Sequence, residues 1–175
     1  MKYPLFGSTI YQYPVSEWDN KKAQIKSLID DSKLVRADHQ WFFSDKNTNN
    51  NCYGSNFTSI IESDLQEFFY DTKLSNIVIT DVWSVKYGTG DFHPPHTHSA
   101  IGFSGILYLD YNESEHTPVW FVDPITNPIT DKTNYCVPNV HEGMIVIAPS
   151  NVLHFTYPNT SKCSRQIIGF DLKVN

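Results

Sequence analysis

The chain has 175 residues, of which 40% are hydrophobic and 14% aromatic, and this is the size and composition of one globular domain with a packed core. Its formal net charge is -6, with 13 Lys and Arg against 19 Asp and Glu, which argues against binding to a nucleic-acid backbone. No stretch has the apolar length that a membrane span requires. The three cysteines form no CxxC pair, so we expect a cytoplasmic protein in a reducing compartment.

The first part of the chain, about residues 1–75, is predicted to be largely helical. In SEWDNKKAQIKSLIDD, Ser16 is the expected N-cap, acidic residues follow in the first turn, and apolar residues recur on one face. In SNFTSIIESDLQEFFYDTKL, apolar residues again recur at helical spacing. The polar, turn-rich stretch KNTNNNCYGSN between them is predicted to be a surface loop.

The second part, about residues 76–175, has the composition of strands. Short apolar or alternating runs such as NIVITDVWSVKYG, IGFSGILYLDYN, EGMIVIAPS and RQIIGFDLKV are separated by Pro, Gly, Asn and Asp. About five or six strands without interleaved helices predict a mainly β fold, either a jelly roll or another antiparallel sandwich, with the N-terminal helices packed on one sheet. We expect a single domain over residues 1–175.

Three of the seven histidines lie close together in DFHPPHTHSA, at residues 93, 96 and 98. In an extended chain His96 and His98 project from the same side, and Pro94 and Pro95 favour extended geometry. His154, which follows the apolar run GMIVIAP, is the best candidate for a third ligand. Three imidazoles predict a metal centre with open coordination positions, as a catalytic metal requires.

The other histidines have less specific interpretations. His93 is predicted to support the ligands, to contact a substrate or to belong only to the loop. His39, His116 and His141 are expected to be surface or hydrogen-bonded residues, since that is the commonest role of an isolated histidine.

These segments together resemble the Fe(II)- and 2-oxoglutarate-dependent oxygenases. The likeness is to a group of short oxygenases of phages and bacteria that is distantly similar to prolyl 4-hydroxylases. It is carried by LFGSTIYQYPV, DVWSVKYGTGDFHPPHTHS, SGILYLDY, PVWFVDP and EGMIVIAPSNVLHFTYPNTSKCSRQIIGFDL. The resemblance implies a double-stranded β-helix, the cupin-like jelly roll. It also implies Fe(II) as cofactor, and 2-oxoglutarate and O2 as cosubstrates. The implied reaction is hydroxylation of a peptide or small molecule, coupled to decarboxylation of the oxoacid to succinate and CO2.

The same resemblance assigns roles to individual residues. His96, His98 and His154 match the metal ligands. Arg165 matches the basic residue that binds the far carboxylate of 2-oxoglutarate, and a guanidinium suits that task because it forms bidentate, charge-assisted pairs. Tyr108 and Tyr87 match tyrosines that contact the cosubstrate, with core packing as the alternative for each.

One position departs from the family pattern. Most members of the larger superfamily have Asp or Glu where this chain has His98, which gives the centre two histidines and one carboxylate, although some short members of the family carry HxH as well. A third neutral imidazole makes the centre more positive by one unit and leaves two other functions open. One is a three-histidine cupin-type dioxygenase that uses no oxoacid, which would be favoured if Arg165 did not face the metal. The other is a metal-binding jelly-roll module without catalytic activity.

Overall fold

The computed structural model describes residues 8–37, 40–46, 53–74 and 77–174, and strands predominate in its second half. Its helices and strands, in chain order, are β1 (Tyr11–Pro14), α1 (Trp18–Leu28), β2 (Phe43–Ser44), α2 (Gly54–Ile61), α3 (Gln66–Thr72), β3 (Ile77–Tyr87), β4 (His93–His96), β5 (Phe103–Asp110), β6 (Trp120–Val122), β7 (Tyr135–Cys136), β8 (Met144–Pro149), β9 (His154–Thr156) and β10 (Arg165–Val174). None of the helices in these ranges is long and apolar enough to cross a membrane.

The strands form two antiparallel sheets, which confirms the predicted jelly roll. The larger sheet has the order β1-β8-β5-β10-β3-β2, and the smaller has the order β4-β9-β6-β7. The second half contains more strands than predicted, because β4 includes two prolines and β7 has only two residues, so neither shows an apolar run. The two prolines are tolerated because β4 is an edge strand, where the missing N–H groups leave no ladder partner unpaired.

The N-terminal helices cover the outer face of the larger sheet, as predicted. Alternation along β5 and β10 points Leu107 and Ile168 outward, where they join a core with Phe57 and Phe68 of the helices. These four side chains are fully buried, and burial of each apolar side chain contributes about 1.5–3 kcal/mol. The opposite face of the larger sheet is thereby left to face the smaller sheet, and the space between the two sheets holds the candidate site.

The start of helix α1 differs from the prediction. The residue before the helix is Glu17, in the left-handed region with φ 51°, and its side chain caps no backbone group. Ser16 is therefore not the N-cap. Its backbone N–H and its hydroxyl instead donate to Asp64 Oδ1 over 2.9 and 2.6 Å. Asp64 also pairs with Lys21 of the helix, so a tertiary contact takes the place of the local cap.

Two glycines of the larger sheet lie beneath aromatic rings of neighbouring strands. A Cβ on Gly105 would come 2.2 Å from Phe170 Cζ, and a Cβ on Gly169 would come 2.4 Å from Trp83 Cε2. Each glycine is the cross-strand partner of the residue whose ring covers it. Gly169 thus lets the Trp83 indole lie flat against β10 on the side that faces the smaller sheet.

Candidate metal centre

A cavity of about 300 Å³ lies between the two sheets, and histidines line one side of it. His96 at the end of β4 and His154 at the start of β9 are directly opposite each other in the sheet register. His98 lies two residues beyond His96, and its backbone N–H donates to Ser150 O over 2.9 Å. The potential ligand atoms of these three residues all lie within 4.8 Å of one another. The structure therefore brings together the three histidines that the sequence singled out.

Hydrogen bonds orient two of these rings. His96 Nδ1 is 2.8 Å from Pro94 O, and His154 Nδ1 is 2.9 Å from Val152 O. Because a carbonyl oxygen only accepts, each Nδ1 carries the proton and each Nε2 keeps its lone pair. This is the arrangement typical of metal-binding histidines, in which the outer nitrogen donates to an acceptor and the inner nitrogen faces the ion.

Burial keeps two of these imidazoles neutral. Burial first, and then the neighbouring His96 and His98, lower the pKa of His154 to about 3. Burial also lowers the pKa of His96. Neutral rings at pH 7 offer lone pairs to a cation without first losing a proton, so the donor set fits a divalent transition metal.

Arg165 lies beside a smaller space that shares part of its lining with this cavity. Its side chain is buried, Nη1 donates to Thr117 O, and Cζ lies 4.3 Å from the centre of the Tyr87 ring. Its Nε and Nη2 groups are buried and make no hydrogen bond to any residue that the structure describes. Two N–H groups on one edge of a guanidinium match the two oxygens of a carboxylate, so these atoms fit an absent anionic ligand.

The space beside this arginine has a volume of about 10 Å³. Five residues line both this space and the main cavity: Tyr87, Ile106, Val119, Thr156 and Ile167. The guanidinium and the histidines thus border adjoining spaces, with the arginine on the larger sheet and the histidines on or beside the smaller one.

The two predicted tyrosines lie beside Arg165, and both hydroxyls have protein partners. Tyr108 Oη accepts a hydrogen bond from Val119 N over 3.1 Å, and Tyr87 Oη is 3.0 Å from His93 Nδ1. Burial raises the pKa of both phenols, so they remain neutral near pH 7. Strand parity places Tyr87 with Trp83, and Tyr108 with Ile106, on the cavity side of the larger sheet.

His93 supports the site. Its ring stacks between those of Phe42 and His96, with centroid distances of 4.1 and 4.0 Å, while Nδ1 meets the Tyr87 hydroxyl. His116 is a buried, hydrogen-bonded residue that accepts from Asn112 N.

The remaining isolated histidines are less informative. His141 is exposed, and its Nδ1 is 2.7 Å from Glu142 O. His39 lies outside the described residues.

A family model decides the identity of the chain. Residues 81–171 match the model described as "Putative 2OG-Fe(II) oxygenase". The matched range includes His96, His98, His154 and Arg165. The chain belongs to this 2OG-Fe(II) oxygenase family. Its members are oxidoreductases, and membership assigns Fe(II) and 2-oxoglutarate to the chain, in agreement with the expectation from the sequence.

Solved structures of this oxygenase class have the same fold. A prolyl 4-hydroxylase from Pseudomonas putida superposes with a TM-score of 0.61 at 13% identity, covering 96% of this chain and 94% of that one. The viral collagen prolyl hydroxylase of Paramecium bursaria Chlorella virus-1, in complex with 2-oxoglutarate, gives 0.63 at 13% identity, covering 97% of each chain. HygX from Streptomyces hygroscopicus, with nickel, 2-oxoglutarate and hygromycin B bound, gives 0.67 at 8% identity, covering 95% and 83%. No curated protein sequence matches the chain.

The structure adds residues to the site that the sequence analysis did not name. Asp171 lines the cavity from β10, Trp83 stacks on His98 with centroids 5.5 Å apart, and Lys46 Nζ lies 3.4 Å above the Trp83 ring. Parity along β10 was a usable signal for Asp171, because a strand that points Arg165 inward also points Asp171 inward. Lys46 had no such signal, since its position depends on the short strand β2.

Proposed function

We propose that this member of the family is a hydroxylase whose metal is bound by His96, His98 and His154. The observation that carries the proposal is the pair of buried Arg165 N–H groups that have no partner among the described residues, beside a space that shares five lining residues with the histidine cavity. When bound, Fe(II) and 2-oxoglutarate supply the chemistry, in which O2 converts the oxoacid to succinate and CO2 and a substrate C–H bond is hydroxylated.

The protein's own residues bind and orient the reactants. The three imidazoles offer ring nitrogens to the metal and leave other coordination positions open. The Nε and Nη2 groups of Arg165 bind the far carboxylate of 2-oxoglutarate as a bidentate pair, and the Tyr108 hydroxyl contacts the same carboxylate. The Tyr87 ring lies against the guanidinium, while its hydroxyl is held by His93. Burial of these groups keeps water from the guanidinium and strengthens its pairing with an anion.

The proposed prime substrate is a peptide or a small molecule. Prolyl hydroxylases are among the structural neighbours, which favours a peptidyl residue such as proline. HygX, whose structure contains hygromycin B, shows that a small molecule also binds to a protein of this fold. Both classes belong in a substrate screen that measures succinate formation.

The three-histidine dioxygenase without an oxoacid is the weaker candidate. Three imidazoles and no carboxylate among the proposed ligands suit it, but such an enzyme has no use for a buried guanidinium beside the adjoining space. A metal-binding module without catalysis has no support from the family assignment.

An anaerobic titration of the protein with Fe(II) and 2-oxoglutarate tests the proposal. We expect a weak visible charge-transfer band when the oxoacid chelates the metal. Glutarate is the matched control, because it has the same carbon chain and both carboxylates and lacks only the 2-oxo group. If metal binds but no band forms at millimolar 2-oxoglutarate, the proposal is wrong and the oxoacid-independent enzyme is favoured.

A further inference from the structure

Asp171 contacts His98 at the edge of the cavity. Oδ1 of Asp171 lies 3.0 Å from Nδ1 of His98, and the aspartate side chain is 27% exposed. Oδ1 itself is buried, and it makes no hydrogen bond within the described residues. The contact is thus a close approach of a carboxylate to an imidazole, with Trp83 stacked on the same ring.

Each of the three histidines has an oxygen atom close to its Nδ1, but the oxygen close to His98 belongs to a different chemical group. Nδ1 of His96 and Nδ1 of His154 each lie within hydrogen-bond distance of a backbone carbonyl oxygen, whereas Nδ1 of His98 lies close to a carboxylate oxygen. A carboxylate behind a metal-binding histidine fixes its tautomer, directs Nε2 toward the metal and makes the ring a stronger ligand. Only His98 has this partner among the three.

The contact between Asp171 and His98 affects the net charge around the metal. Two neutral histidines and one carboxylate reduce the charge of a divalent ion by one unit, and three neutral histidines do not. A carboxylate next to the third imidazole restores one unit of negative charge near the metal, although the imidazole ring separates it from the ion.

We propose that Asp171 is a positioning residue that orients His98 for the metal and supplies the negative charge that the three-histidine centre lacks. The proposal rests on the proposed function only in taking His98 as a ligand. It concerns metal binding and is independent of the cosubstrate and of the prime substrate.

Calorimetric titration of the metal-free protein with Co(II) tests the proposal. Asp171→Asn keeps the size and one oxygen acceptor but removes the charge, and we expect it to weaken Co(II) binding by roughly 10- to 100-fold, as is typical for carboxylates behind metal-binding histidines. The matched control is Asp81→Asn. Asp81 is the cross-strand partner of Asp171, is exposed and forms no ion pair with the described residues, so the same change of charge there should leave Co(II) affinity nearly unaltered.

The same substitutions in a His98→Asp variant distinguish an effect transmitted through His98 from a general effect of charge on Co(II) binding. In His98→Asp the imidazole is gone, so Asp171→Asn should no longer weaken Co(II) binding more than Asp81→Asn does. The visible spectrum of bound Co(II) reports ligand geometry in each variant, and thermal melting without metal checks that each is folded. Equal Co(II) affinity of wild type and a folded Asp171→Asn overturns the proposal, as does an undiminished effect in the His98→Asp background. If Asp171→Asn does not fold, Asp171→Glu takes its place. We expect the longer carboxylate to keep Co(II) affinity near that of the wild type. A loss of Co(II) affinity equal to that of His98→Ala overturns the proposal.

Failure of the Asp171 proposal can be distinguished from failure of the proposed function. Wild type that binds Co(II) tightly but forms no charge-transfer band with Fe(II) and 2-oxoglutarate contradicts the function and leaves the Asp171 comparison valid. A normal band in Asp171→Asn with unchanged metal affinity contradicts the role of Asp171 and leaves the function intact.

Discussion

Arg165 and Asp171 project from the same side of strand β10, and between them they carry the three buried side-chain polar atoms that lack a hydrogen bond within the described residues. A buried polar atom without a partner costs about 1–3 kcal/mol, so such atoms call for an explanation. Here both residues face the candidate site. A single strand therefore presents a cation for an anionic ligand near one end and an anion for the metal centre near the other.

Loss of one histidine ligand should abolish tight metal binding. We expect His154→Ala to weaken Co(II) binding by more than about 100-fold, which exceeds the usual effect of an outer partner. His141→Ala is the control, because His141 is exposed and lies outside the cavity lining. Calorimetry of both variants checks the expectation, and a His154→Ala protein with near wild-type affinity would remove this residue from the centre.

Replacement of Arg165 should affect the oxoacid and spare the metal. We expect Arg165→Ala to weaken 2-oxoglutarate binding by about 2–5 kcal/mol, because one side of a buried charged pair is lost. Arg165→Lys keeps the charge without the planar fork and should be intermediate. Titration of the charge-transfer band measures the oxoacid affinity, and Co(II) calorimetry measures the metal. If both affinities fall together, the arginine supports the fold rather than the cosubstrate.

Tyr108 and Tyr111 form a matched pair for testing the cosubstrate contact. Each buried hydroxyl bonds a backbone group, Val119 N in one case and His116 O in the other, but only Tyr108 lines the space beside Arg165. Either change to Phe should lower the free energy of unfolding by about 1–3 kcal/mol, since a buried backbone group loses its partner. Only Tyr108→Phe should also weaken 2-oxoglutarate binding. Equal oxoacid affinity in the two variants would leave Tyr108 a purely structural role.

Acid should destabilise the metal-free protein through its buried histidines. Burial lowers the pKa of His93 to about 2 and that of His154 to about 3, both from the ordinary value of 6.5. As pH falls through 6.5, the unfolded chain takes up these protons while the folded chain does not, so stability is full above that pH and declines below it. Denaturant melts at several pH values should show this decline. His93→Gln should make the slope shallower by about one proton, and His141→Gln should not.

The glycine beneath Trp83 should tolerate no side chain. A methyl group at Gly169 would meet the Trp83 ring, so Gly169→Ala should cost about 1–3 kcal/mol in the free energy of unfolding. Because Trp83 stacks on His98, Co(II) binding should weaken as well. Gly54→Ala is the control: a Cβ there meets only Val82 Cγ2 at 3.7 Å, and the residue begins helix α2. Thermal melts and calorimetry distinguish the two variants.

Local patterns in the sequence predicted those parts of the fold in which apolar residues recur at a regular spacing. Apolar alternation along β5 and β10 and helical spacing around Phe57 were sufficient to predict the sandwich and the helices on one sheet. The position of Ser16 shows the limit of this reasoning. It satisfies every local rule for an N-cap, yet it bonds Asp64, a residue far along the chain that no local pattern identifies.

The site was predictable to the extent that its residues lie within recognisable segments. Spacing and the resemblance together identified the three histidines and Arg165, and the register of β4 and β9 places two of the histidines opposite each other. The contact between His98 and Asp171 was not predicted, because it joins the loop after β4 to a strand of the other sheet. Contacts of this kind depend on how the two layers are stacked, which periodicity within one strand does not describe.

The division of the site between two sheets has a mechanical consequence. The histidines belong to the thin layer of short strands, and the guanidinium belongs to the broad layer. An ion and an oxoacid that touch each other would thus link the two layers across the middle of the sandwich. Such a link makes separation of the layers more costly, so amide protons of β9 should exchange with solvent more slowly in the ternary complex than with the ion alone.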